Sequence, residues 1–158
     1  MKIALIGATG NAGSRILAEL SQRGHQVTAI VRKPEAVPAL PGVTAVKGDV
    51  HDQAGLANLL AGHDAVISSA HFTASDPNKL IEAVRASGVK RYLVVGGAGS
   101  LEVAPGVKLI DAPEFPAIYK AEASGGNVFL DILRDEKALD WTFLSPSALF
   151  VAGERTGK

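Results

Sequence analysis

Short apolar runs and helical stretches alternate through this chain. Lys2–Ile6 (KIALI) is an apolar run stopped by a glycine, which predicts a strand buried on both faces. Between Ala12 and Arg23, Ile16, Leu17 and Leu20 recur at helical spacing, and Gly24 stands where a helix-ending glycine belongs. Gln26–Val31 and Val43–Val46 predict a second and a third strand, joined through Pro34, Pro38 and Pro41. Asp52 is placed to cap a helix reaching Ala61, with Gly62 behind it. Ala65–Ser68 reads as the fourth strand, Pro77–Ser87 as a helix closed by Gly88, and Arg91–Val95 as the fifth strand. A long helix is expected over Ala117–Ala138, weakened by Gly125-Gly126, before a sixth strand, Trp141–Ser145, that ends at Pro146.

Six alternations of strand and helix predict an α/β fold: a doubly wound parallel sheet with helices on both faces. Right-handed crossovers favour the Rossmann strand order 3-2-1-4-5-6. The 158 residues, 47% of them hydrophobic, suit one domain spanning the whole chain.

A glycine array occupies the turn after the first strand: Gly7-Ala8-Thr9-Gly10-Asn11-Ala12-Gly13. A tight turn that lets backbone approach a pyrophosphate has no room for side chains, and the helix behind it offers free N–H groups and a positive dipole end. The array in this strand–turn–helix setting predicts a bound dinucleotide. NAD-selective sites carry an acid about 20 residues on, where it holds the ribose 2′-hydroxyl. Here the second strand runs into Arg32-Lys33, and no acid comes before Glu35. A guanidinium there can pair with a 2′-phosphate, so NADP(H) is preferred, with NAD(H) possible; the plain alternative is a solvated strand-end charge. Asp49 and Val50, after the third strand, are candidates for the adenine, or simply turn residues. Ser68, Ser69 and Ala70 end the fourth strand and are small enough for a cofactor ribose to lie against the backbone. His71 follows, a candidate proton donor or merely an exposed loop histidine.

Charge and cysteine content narrow the partners. Lysine plus arginine and aspartate plus glutamate number 16 each, so no net charge draws the chain to nucleic acid or an anionic membrane. With no cysteine there are no disulfides, thiolate metal sites or cysteine nucleophile, which fits a reducing compartment. The N-terminal apolar run, Ile3–Ile6, is too short for a signal peptide or a membrane span, and a cytoplasmic location is expected. His25, His51, His63 and His71 show no metal-ligand spacing, and no metal is expected.

GATGNAG at Gly7–Gly13, VRKP at Val31–Pro34, GDV at Gly48–Val50 and GVKRYLVVGGAGSL at Gly88–Leu101 together resemble the atypical short-chain dehydrogenase/reductase superfamily. GGAGSL and DWTFLSPSALF at Asp140–Phe150 are similar to the narrower group of NADH-flavin reductases, biliverdin reductase B and NmrA-like proteins. The resemblance covers essentially the whole chain. Members of that group continue past the segment matching Glu154–Lys158 with another strand and a helix, so a domain shortened at its C-terminal end is expected.

The resemblance also implies a catalytic apparatus that this chain only partly carries. The superfamily's dehydrogenases use a serine or threonine after the fifth strand and Tyr-x-x-x-Lys on the next helix. Lys120 matches the lysine, which would also hold the ribose, but the residue four earlier is Pro116, which has no proton to give. Tyr119 adjoins Lys120, about 100° round a helix from it, so the two do not share a face. Gly96-Gly97 stand at the serine position, with Ser100 the nearest hydroxyl. Ser100, Tyr119 and Lys120 are therefore the catalytic candidates, in an unusual arrangement.

Carbonyl reduction needs a proton delivered to a developing alkoxide, whereas flavin reduction needs mainly two stacked rings, with solvent supplying the remaining proton. The departures thus favour an NADPH-dependent reductase of free flavin or a related planar acceptor. A non-catalytic NAD(P) sensor of the NmrA type is the second reading, and a carbonyl or sugar oxidoreductase or epimerase with a non-standard acid the third. The residues Gly99–Pro116 show no periodicity and are expected to form a flap over the acceptor, with Leu101, Leu109 and Phe115 as apolar candidates or as packing for the loop. Pro146 and Ser147 leave the sixth strand where a nicotinamide carboxamide would lie; helix capping is the alternative for Ser147. A monomer or homodimer acting on a small planar molecule, without nucleic acid or membrane, completes the expectation.

Overall fold

The computed structural model describes residues 1–154. Arg155–Lys158 lie outside the described residues. Six parallel strands form the sheet: β1 (Lys2–Ile6), β2 (Gln26–Val31), β3 (Val43–Lys47), β4 (Ala65–Ser68), β5 (Arg91–Val95) and β8 (Asp140–Leu144). Their order is β3-β2-β1-β4-β5-β8, the doubly wound order read from the sequence; the last strand is the eighth because a hairpin precedes it. Ile6 stands level with Ile30 on one side and Ser68 on the other, so β2, β1 and β4 end at one edge.

Successive strand residues point to opposite faces. Leu5, Val27, Ala29 and Val31 meet Leu17 of α1 (Asn11–Gln22) on one face. Ala4, Ile6, Val66, Tyr92 and Val94 meet the other three helices on the opposite face. Those are α2 (Gln53–Leu60), α3 (Pro77–Ser87) and α4 (Lys120–Asp135). Asp52 caps α2 by accepting from the Gly55 N–H at 3.0 Å, as its position predicts. Asp76 caps α3, with Pro77 in its first turn and Gly88 left-handed behind it. Among the described residues, no helix is long and apolar enough to cross a membrane.

Two expectations need correction. The long helix does not begin at Ala117: Ala117–Tyr119 form a 3-10 turn, and α4 runs only from Lys120 to Asp135. Glu136 turns extended because the chain must bring Leu139 into the core before β8. The aperiodic stretch Gly99–Pro116, expected as a flap, has regular structure of its own. It holds a hairpin, β6 (Glu102–Ala104) against β7 (Val107–Lys108), and a 3-10 turn, Leu109–Asp111, that buries Ile110.

Candidate functional site

At the end of β1 the chain must turn at once into α1. Gly7 does this at φ +80°, a left-handed conformation that side-chain-bearing residues rarely adopt. A Cβ on Gly7 would stand 2.7 Å from the Ser69 carbonyl oxygen, and one on Gly13 only 2.1 Å from that of Gly7. Helix and turn are pressed together backbone to backbone. The Gly7 N–H donates to Ile30 O at 3.1 Å, and the Gly10 N–H to Gly7 O at 3.1 Å. Helix α1 starts on Gly10, which has no side chain to cap it, and its first turn carries no acid. Its leading N–H groups and positive end are thus left to an anion. This cradle, which any Cβ would fill, fits the pyrophosphate of a dinucleotide.

Two adjoining cavities flank the cradle and share Gly10, Ser69, Ala70 and His71 in their walls. The larger, about 490 Å³, lies over the ends of β1, β2 and β3, with Gly7, Thr9, Arg32, Asp49 and Val50 in its wall. The smaller, about 230 Å³, lies over β4 and β5, with Asn11, Ala12, Arg15, Phe72, Gly96 and Glu122. Together they form a trough across the point where strand order reverses, the place where doubly wound sheets take dinucleotides. Arg32 is exposed and has no ion pair among the described residues. Asp49 accepts from the His51 N–H at 2.9 Å, which shapes the turn beneath the larger cavity.

The remaining predicted residues lie elsewhere. Ser68 is only 3% exposed and sits inside the sheet, so Ser69 and Ala70 form the wall in its stead. Ser100 Oγ donates to Gly97 O at 3.1 Å and lies 2.8 Å from Ser145 Oγ, outside both walls. Tyr119 is 61% exposed, and Lys120 opens α4, also exposed; neither borders a cavity. Pro146 and Ser147 stand back from the trough as well, and the chain reaches the smaller cavity later, through Phe150, Val151 and Ala152. Leu101, Leu109 and Phe115 line neither cavity, so the hairpin region does not cover the trough.

What builds the smaller cavity is a clamp between the loop after β4 and the start of α4. Glu122 accepts from the N–H groups of Phe72 (2.8 Å) and Thr73 (2.9 Å) and from the Thr73 hydroxyl (2.7 Å). His71 Nδ1 lies 3.2 Å from the same carboxylate. Partial burial pushes the Glu122 carboxyl upward, but the hydrogen bonds from Thr73, Phe72 and His71 outweigh it and hold the group below its ordinary value. Phe72 seats against Gly125-Gly126, where a Cβ on Gly125 would stand 2.8 Å from the Phe72 Cβ and one on Gly126 3.0 Å from its ring. The Phe72 ring stacks on Phe143 at 6.0 Å and meets Phe129 edge-on at 5.7 Å. The paired glycines are therefore a notch in α4 that receives an aromatic ring.

Sequence reasoning passed over Arg15, Phe72 and Glu122, and noted Gly96 only as standing where a serine would be. Arg15 had a local signal: one helical turn beyond Asn11, it donates to that residue's side chain at 2.8 Å. Glu122 and Phe72 are 50 positions apart and had none.

The sequence model of the NAD(P)H-binding family matches residues 7–158. Three solved structures align with nearly the whole chain. A Burkholderia pseudomallei "exported protein" is 46% identical, covering 100% of this chain and 78% of its own, with a TM-score of 0.86. A Bacteroides thetaiotaomicron "epimerase" is 39% identical (99% and 76% covered, TM-score 0.93). A Streptococcus pneumoniae "NADH-flavin reductase" is 38% identical (99% and 77% covered, TM-score 0.81). All three names carry the qualifier "putative". With the glycine cradle, the trough and the strand order in place, this chain belongs to the NAD(P)H-binding family and folds as a Rossmann domain.

Proposed function

We propose that this protein is an NADPH-dependent reductase that passes a hydride to free flavin or a related planar acceptor. The observation that carries this reading is the composition of the trough wall. It holds a glycine cradle and an unpaired arginine at the end of β2, yet neither tyrosine of the chain borders it. Tyr119 faces solvent, and Tyr92 is fully buried in the sheet core with its hydroxyl unpartnered. Burial pushes the Tyr92 phenol far above its ordinary value, against a weaker opposing influence of Ser68.

When bound, reduced nicotinamide supplies a hydride. The chain's own part is to hold and orient. The backbone of Gly7–Gly13 and the α1 N-terminus would hold the pyrophosphate, and Arg32 would pair with the 2′-phosphate. Asp49 and Val50 would flank the adenine, while Ser69 and Ala70 would let a ribose lie on the backbone. The smaller cavity, walled by Phe72, Gly96 and Phe150, would then bring the acceptor ring face to face with the nicotinamide. The lack of cysteine supports a reducing, cytoplasmic setting.

Calorimetric titration with NADPH and NADH, followed by FMN addition while nicotinamide absorbance is recorded, tests the proposal. Tighter binding of NADPH, with FMN-dependent oxidation, is the expected result. The absence of a tyrosine from the trough also fits a nucleotide sensor, for which binding without turnover would be the result. Failure of both nucleotides to bind would overturn either reading.

A further inference from the structure

The wall of the smaller cavity carries three charged or titratable side chains: Arg15 from α1, Glu122 from α4, and His71 between them and the larger cavity. His71 is the one that borders both cavities. Its Nδ1 faces Glu122 Oε1, an oxygen that the Phe72 N–H also addresses. An ionised carboxylate can only accept, so Nδ1 must carry the proton. That leaves Nε2 as the ring atom free to exchange a proton. The ring's backbone is anchored too, since Phe72 is seated in the glycine notch and Thr73 is held twice by Glu122. An 80% exposed histidine would normally have no fixed place, but this one hangs from a fastened loop at the mouth of the trough.

We propose that His71 is the proton donor of this reductase and Glu122 its positioning residue, so that the acceptor class extends to planar carbonyl compounds such as quinones. The inference rests on the reductase reading above. The acceptor gains a hydride from the reduced nicotinamide, which is thereby oxidised, and its carbonyl oxygen takes a proton from Nε2 of the doubly protonated ring. The neutral ring is then reprotonated by water, for which its exposure leaves a path. Flavin reduction depends less on this proton, so the two acceptor types should respond differently.

Two measurements decide it. In nucleotide-free protein, nitrogen NMR should find the neutral His71 ring protonated on Nδ1, and Glu122→Ala should return it to the Nε2–H form a free imidazole favours. Glu122→Gln keeps one acceptor oxygen, for the Phe72 N–H or the Thr73 N–H but not both, and so unfastens the loop less than Glu122→Ala does. In turnover, His71→Ala should lower kcat with a quinone by roughly a hundredfold, while KM for NADPH changes far less. Added imidazole should restore part of that rate, and the rate with FMN should fall much less. An Nε2–H ring in the wild type, or a quinone rate unmoved in His71→Ala, would overturn the proposal. Wild-type protein that oxidises NADPH with FMN but with no quinone would overturn it and leave the flavin reading standing. Wild-type protein that binds no nucleotide would overturn the reductase reading itself.

Discussion

The two halves of the trough are made of different material. Where β1 turns into α1, it is built from backbone: a left-handed Gly7, the close approach of Gly13 to Gly7, and the open N-terminus of α1. Over β4 and β5, it is built from side chains that come from distant places, Glu122 reaching back 49 to 51 positions to His71, Phe72 and Thr73. Backbone geometry recognises what every dinucleotide shares, the pyrophosphate. Side chains discriminate, and they are the part free to differ between an enzyme acting on flavin, one acting on a carbonyl compound and a sensor.

The first way to test this contrast is to damage the backbone half. Gly13→Ala places a Cβ where 2.1 Å separates it from the Gly7 carbonyl oxygen, so the turn must open. Overpacking against backbone is expected to cost at least about 3 kcal/mol of nucleotide binding, roughly a hundredfold in Kd for both NADPH and NADH by calorimetry. Next comes the side chain that the contrast makes selective even in that half. Arg32→Ala should weaken NADPH by about 2 kcal/mol, roughly thirtyfold, and change NADH little. An equal effect on both nucleotides would remove Arg32 from 2′-phosphate recognition.

The side-chain half should break through packing. Alanine in place of a mid-helix glycine normally gains about 1 kcal/mol. At Gly125 the new methyl meets the Phe72 Cβ at 2.8 Å. Overpacking costs roughly 1–3 kcal/mol, so Gly125→Ala should lose about 1 kcal/mol net. For a chain of this size that lowers Tm by about 3 °C, readable by calorimetry, while NADPH affinity is largely kept. A rise in Tm would show that Phe72 does not need the notch.

The smallest effect is electrostatic. Glu122 is held below its ordinary value of 4.5, so its contribution to stability is present above that pH and is lost as pH falls through the folded-state value. The stability difference between wild type and Glu122→Gln should therefore shrink on acidification below 4.5 in urea titrations. The effect stays modest because the carboxylate remains 35% exposed and solvent screens it. A difference that does not change with pH would mean that the clamp does not depend on the charge.

What could be read in advance follows the same division. Strand and helix periods, the Asp52 cap and the glycine turn are local and were legible from neighbouring residues, while the strand order followed from the handedness of the crossovers. The hairpin was missed although Pro105-Gly106 marks a turn between Val103 and Val107, because the strands on either side are too short to show a period. Gly125-Gly126 was legible only as a weak point in a helix, since its ring partner, Phe72, is remote in sequence.

The order of residues alone therefore determined the doubly wound sheet and the glycine turn after its first strand, because burial periodicity and tight turns act over a few residues. Which side chains line the smaller cavity was decided by tertiary structure. Tyr119 and Ser100 are turned away from the trough, while His71 and Glu122 are brought to 3.2 Å by the packing of a loop onto a helix. Contacts across such a separation are set by the assembled core, and no short stretch of the chain encodes them.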